Sequence, residues 1–178
     1  MLLKIISILA LLAVVFVVVV SFRPADFRVS RSITIAAPPA VVFPHVDTLR
    51  QWHDWSPWAK ADPSAVVTFD GPPAGVGASY RWTGKKTGEG TMTTTSSQSD
   101  SDVRFRLEFV KPFAATNDVE FSFLPQGNGT VVTWTMTGKN NFLAKAINLV
   151  IDCEKMCGTQ FDQGLADLKT IAEKEAKP

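Results

Sequence analysis

The sequence predicts an α+β protein: an antiparallel sheet of about seven strands wraps around one long carboxy-terminal helix, and a transmembrane helix precedes both. Three patterns lead there. Residues 2–22 are almost unbroken apolar sequence, and about 20 such residues are what a helix needs to cross a bilayer. Residues 29–138 are short runs in which apolar and polar residues alternate, broken by Gly, Pro and Asn turns. Residues 141–174 carry apolar residues three and four apart, the helical period. The chain thus divides into an anchor (1–22), a linker (23–27) and one domain (28–175).

The amino-terminal run is expected to stay attached. A cleaved signal peptide is the competing reading, but no Ala-x-Ala site precedes Arg23 and the run is long for a signal. The expectation is a single-pass protein of the cell membrane. The side on which the domain lies stays open. Arg23, Arg28 and Arg31 favour a cytoplasmic domain, whereas Lys4 and the amino terminus pull the other way.

After the linker, Val29, Arg31, Ile33 and Ile35 alternate with Arg28, Ser30, Ser32 and Thr34, which makes a first strand. Pro38 and Pro39 end it, and Pro39 opens a short apolar helix through Val46. A second short helix is expected over 47–53, capped by Asp47. Trp52, Trp55 and Trp58 then follow in a stretch broken by Pro57 and read as a loop. They either plug one end of the domain or form the rim of a pocket.

Hairpin-linked strands follow. Tyr80 and Trp82 share one face, and Gly90, Met92 and Thr94 share another. Val103, Phe105, Leu107 and Phe109 point inward, as do Asn117, Val119, Phe121 and Phe123 on the next strand. Val132, Trp134 and Met136 complete the inward set after the turn at Gly127, Asn128 and Gly129.

The last segment reads as one helix from Asn141 to about Lys174, with Leu143, Ile147, Val150, Cys157, Phe161, Leu165, Leu168 and Ala172 on its apolar stripe. Glu154 falls near the centre of that stripe if the helix keeps one phase, beside the small residues Cys157 and Gly158. An acid there would line a cavity, unless the helix bends near 153–158 and turns it outward. The sheet's apolar face and the helix stripe must bury each other, and small residues on both leave a gap between them.

Composition limits the function classes. Net charge is +1 with no basic patch, so nucleic acid is not an expected partner. Five Trp and 12 Phe against one Tyr supply a large apolar core or pocket. Cys153 and Cys157 lie one helical turn apart, poorly placed for a disulfide, and are read as small core residues. His and Cys lack metal-ligand spacing, and no nucleotide fingerprint appears, so neither metal nor cofactor is expected. The pair His53–Asp54 invites a general-base reading, but adjacent residues rarely point the right way.

Val29 to Pro39 with Val42 and Phe43, the Trp52 to Trp58 segment, Gly75 to Trp82, and Glu154 to Gly158 with Phe161, Gly164, Leu165, Leu168 and Lys169 resemble the SRPBCC superfamily of START-like, Bet v 1-like proteins. Within it, the closer likeness is to the bacterial polyketide cyclase/dehydrase and lipid transport group. The resemblance covers about 28–173 and implies a helix-grip fold with a cavity for an apolar ligand. The expected pocket comprises Trp55, Trp58, Tyr80, Trp82, Met92, Phe105, Phe109, Asn117, Trp134, Met136, Ile147, Glu154 and Gly158, with no catalytic residue assigned. The leading reading is a membrane-tethered module that binds or transports a hydrophobic small molecule or lipid. A polyketide cyclase or dehydratase would need paired acid/base groups in the cavity, where inward polar residues are few. A protein-interaction or stress-response module would use the Trp loop.

Overall fold

In the computed structural model, which describes residues 2–177, α1 (Leu2–Ser21) is followed closely by the first strand of a sheet. The strands are β1 (Asp26–Ile35), β2 (Val66–Asp70), β3 (Ser79–Gly84), β4 (Gly88–Gln98), β5 (Asp102–Lys111), β6 (Ala115–Gln126) and β7 (Gly129–Lys139). Among the described residues they form one antiparallel sheet in the order β1-β7-β6-β5-β4-β3-β2. Every neighbour except the β1–β7 pair is a hairpin, which is why short turns suffice for the whole β2–β7 run. β1 begins at Asp26, inside the expected linker, because Asp26 and Phe27 pair with Lys139 and Gly138.

Between β1 and β2 lie α2 (Pro39–Asp47), a 3-10 turn (Leu49–Gln51), α3 (Trp52–Trp55) and α4 (Pro57–Ala61). Two expectations change here. The Trp segment is two short helices, the second opened by Pro57 in its first turn. Asp47 ends α2, and its carboxylate accepts a hydrogen bond from Ser97 Oγ at 2.7 Å.

The carboxy-terminal helix is also divided. α5 (Phe142–Ile147) stops, and α6 (Cys153–Glu175) starts afresh after Asn148–Asp152. Each half has its own cap. Asn141 Oδ1 accepts from the Ala144 N–H, and Asp152 Oδ1 accepts from the Lys155 N–H, both at 2.9 Å. The Asp152 side chain competes with helix continuation and resets the phase. Leu143 and Val150 are therefore exposed, while Phe161, Leu165, Leu168 and Ala172 keep their buried stripe.

α6 packs chiefly along β1, with α2 and α3 against its other side. The inward faces of β5, β6 and β7 meet these helices in an aromatic cluster. Trp134 stacks on Phe161 with centroids 4.1 Å apart and rings nearly parallel, and Trp52, Trp55 and Phe121 close around it at 4.7–6.0 Å. The indole N–H groups of Trp52 and Trp55 donate to the carbonyls of Val46 and His45. Both rings are thereby held as core.

Candidate functional site: the cavity beside the helix

Because α6 lies along β1, it does not cover the other arm of the sheet. Between β2, β3, the facing parts of β4 and β5, α3–α4 and the first turns of α6 there remains a cavity of about 470 Å³. Gly90 on β4 is part of the reason. A Cβ there would lie 2.4 Å from the Trp82 ring, so its absence lets that indole lie flat against the strand.

Of the residues expected in a pocket, Trp58, Tyr80, Trp82, Met92, Phe109, Trp134 and Met136 line this cavity. The other six do not. Trp55 is wholly buried behind Trp52, and Phe105 packs edge-on against Trp52 at 5.4 Å. Asn117 lies over Gly138, where a Cβ would collide with its Oδ1. Ile147 is half-buried on α5, outside the lining. Glu154 is exposed in the first turn of α6, where its charge suits the helix dipole. Gly158 is buried under the Arg31 guanidinium, which bridges to Asp162 at 3.4 Å. The break at Asp152 takes Ile147 off the α6 stripe, whereas Glu154 stays in phase with Cys157 and Phe161 and is exposed because it sits in the first turn, at the helix's open end.

The sequence reading missed several lining residues. Trp52 was visible only as one member of the Trp segment. Leu107 and Val119 stood in the inward alternation and Cys157 and Phe161 on the helix stripe, while Phe69 on β2 was not singled out. Parity identified them as inward but could not separate cavity wall from packed core.

Few polar groups meet the lining. Asp62 on the loop after α4 is buried, and its Oδ2 accepts from the backbone N–H groups of Lys86 and Thr87, while Ser64 donates to Oδ1. The Lys86 N–H bond, with help from Thr87 and Ser64, holds its carboxyl below the usual value and outweighs the opposing effect of burial. Asp62 thus ties the helical segment to the β3–β4 turn. That contribution is present at neutral pH and is lost as the pH falls below 3.8. Asp62→Asn should speed hydrogen exchange at the Lys86 and Thr87 amides without changing the rest of the sheet. Unchanged exchange at those two amides would remove the tether.

Tyr80 is the one tyrosine in the chain, and burial pushes its phenol up to about 12. The folded state keeps the proton that the unfolded state gives up above 10, so this contribution to stability is full below pH 10 and declines as pH rises toward 12. A spectrophotometric titration of this single phenol should show no tyrosinate until well above pH 10. An ordinary tyrosine midpoint would place the hydroxyl in water instead.

Burial, and then the neighbouring Cys153, pushes the Cys157 thiol up, which makes it an apolar wall element more than a nucleophile. His53 is exposed but lines the cavity together with Arg50, whereas Asp54 is exposed outside the lining, and no hydrogen bond between His53 and Asp54 is found among the described residues. Nor do any three His, Cys, Asp or Glu residues there come together as a metal site. The arrangement can bury and orient an apolar molecule, with the Tyr80 hydroxyl among the few polar groups facing it.

No curated protein matches the chain by sequence. Solved structures do match by shape. Protein MLL2253 from Mesorhizobium loti aligns with a TM-score of 0.63 at 13% identity, over 83% of this chain and 98% of that one. Protein CV1439 from Chromobacterium violaceum gives 0.59 at 15%, over 85% and 99%. Ara h 8.0201 gives 0.57 at 12%, over 83% and 97%. At these identities the likeness is one of fold, the SRPBCC or Bet v 1-like helix grip. The family and fold together support a module for hydrophobic ligands. A family model described as polyketide cyclase/dehydrase and lipid transport matches residues 26–173, and the chain belongs to that family.

Proposed function

We propose that the domain binds or transports a hydrophobic small molecule or lipid in the cavity beside α6, and that α1 holds it at a membrane. The single observation that carries the reading is the cavity itself. Its volume of about 470 Å³ falls within the roughly 300–1,000 Å³ of small-molecule sites, and its walls are mostly apolar. The tether is supported by α1, whose 20 residues are almost all apolar and lie almost wholly exposed, a surface that hydrocarbon would cover. Binding is preferred to catalysis because Asp62 is committed to backbone N–H groups and Tyr80 keeps its proton far above neutral pH.

The test is native mass spectrometry of the full chain released from detergent, compared with Cys157→Trp, whose indole would enter the cavity. The expected result is an apolar adduct on the parent protein that the variant lacks. No adduct, or the same adduct on both, would end the assignment to this cavity.

A further inference from the structure

We propose that one end of the domain, built from α5, the 148–156 segment and the β5–β6 turn, rests directly in the surface of an anionic lipid bilayer. This rests on the reading of α1 as a membrane span and goes beyond it, since a tether alone leaves the domain's orientation free.

The strand register sets which elements share that end. Asp26 pairs with Lys139, Asn117 with Gly138, and Phe109 with Ala115. The start of β1, the end of β7 and the β5–β6 turn therefore lie together, and the β3–β4 turn joins them because Glu89 pairs with Lys111. α1 arrives at the same end and packs against α5. Only residues 22–25 separate α1 from β1, and four residues span at most about 14 Å. The backbone there is held further by the Asn140 N–H, which donates to the Ala25 carbonyl at 2.7 Å. Such a connection cannot carry the domain far from the bilayer.

Large apolar side chains are exposed at this end. Phe113 on the β5–β6 turn is 55% exposed, Phe142 and Leu143 on α5 are 48% exposed, and Val150 and Met156 are 89% and 56% exposed. The opposite end exposes far fewer, chiefly Val76 and Leu124. This end carries Lys85, Lys86, Lys111, Lys139, Lys145 and Lys155 against Asp26, Glu89, Glu108, Asp152 and Glu154, with Lys111 paired to Glu89 and Lys139 near Asp26. At the other end the turns carry Asp70, Asp100 and Asp102, and the last turns of α6 carry Lys169 and Lys174 beside Glu173 and Glu175. Apolar tips ringed by lysines fit an interface with anionic headgroups, where the rings enter the acyl boundary and the ammonium groups stay with phosphate. The surface is continuous with α1, so the medium that covers α1 reaches α5. Thr87, Phe109 and Cys157 also bring the cavity lining toward this end, which gives a ligand a short route from bilayer to cavity.

The experiment places an environment-sensitive fluorophore on the full chain at Phe113→Cys, Leu143→Cys or Val150→Cys, in a Cys153→Ala, Cys157→Ala background. Reference labels sit at Leu11→Cys in α1 and Asn128→Cys at the far end. The protein is reconstituted in vesicles of phosphatidylglycerol and phosphatidylcholine, with and without nitroxide on the acyl chains. The expected result is blue-shifted emission, quenched by nitroxide lipid, at positions 113, 143, 150 and 11, with water-like emission at 128. Quenching at 11 alone would leave the span in place and overturn the docked surface. Blue-shifted but unquenched labels at 113, 143 and 150 would identify a second protein copy as the cover and overturn it equally. An unquenched label at 11 would remove the span, and this surface with it.

Discussion

Trp134→Ala is expected to destabilise the domain by about 3–5 kcal/mol, the range for deleting a large buried aromatic side chain. Trp134 is 2% exposed and stands where the packed half of the interior meets the open half. It stacks on Phe161 from α6, abuts Trp52 and Trp55 from α3, Trp58 from α4 and Phe121 from β6. One side chain thus joins the sheet to three helices. Among the described residues its Nε1 has no hydrogen-bond partner, so the loss on truncation is one of packing. That makes a second variant informative. Trp134→Phe keeps a ring on Phe161 and removes the unpaired N–H, and should cost less than about 1.5 kcal/mol. Urea denaturation of the full chain in a fixed detergent measures both. An alanine cost below about 1 kcal/mol, or equal costs for the two variants, would mean that this ring is not what joins sheet and helices.

Cys157→Trp should weaken binding of an apolar probe such as cis-parinaric acid by at least about tenfold, roughly 1.4 kcal/mol. Cys157 is half-buried on α6 and faces the cavity from the helix side, across from the uncovered arm of the sheet. A small side chain there leaves volume that an indole would take up. The thiol itself is dispensable in this reading, so Cys157→Ala should bind like the parent. A titration of probe fluorescence separates the outcomes. Equal loss in both variants would point to thiol chemistry, and full binding by Cys157→Trp would move the ligand elsewhere. The folded state of each variant is checked by its denaturation midpoint.

Much of the fold could be read from residue pattern. The inward faces of β3 through β7 match the alternation, because successive side chains on a strand must face opposite sides and only one side is dry. The hairpins follow from Gly and Asn at tight turns. The error over α5 and α6 has an equally local cause. Leu143, Ile147 and Val150 continue the apolar pattern of the later helix, yet Asp152 caps a new helix and shifts its phase. Periodicity counts apolar residues and is blind to which of two caps prevails. Glu154 keeps the phase of Cys157 and Phe161 but lies in the exposed first turn of α6, which spacing cannot reveal.

The cavity residues were only partly legible. Tyr80, Trp82, Met92, Phe109 and Met136 stood out as inward, but so did Phe105 and Asn117, which lie outside the lining. Inward orientation is a property of one strand. Being a cavity wall depends on what stands opposite, and for β2 through β4 that is a gap with Cys157 and Phe161 of α6 on its far side.

By itself the sequence determined the class of the protein: one apolar helix of membrane-spanning length, strands with a single apolar face, and a terminal helix with a single apolar stripe. Each follows from local spacing, since a backbone period decides which side chains share a surface. Only the tertiary structure decided where the terminal helix lies. Its seat along β1 packs Trp and Phe rings tightly on one side and leaves about 470 Å³ open on the other. That division arises from contacts between residues more than a hundred positions apart, such as Arg31 against Gly158. No local pattern encodes it, because the free energy that selects it belongs to the assembled core.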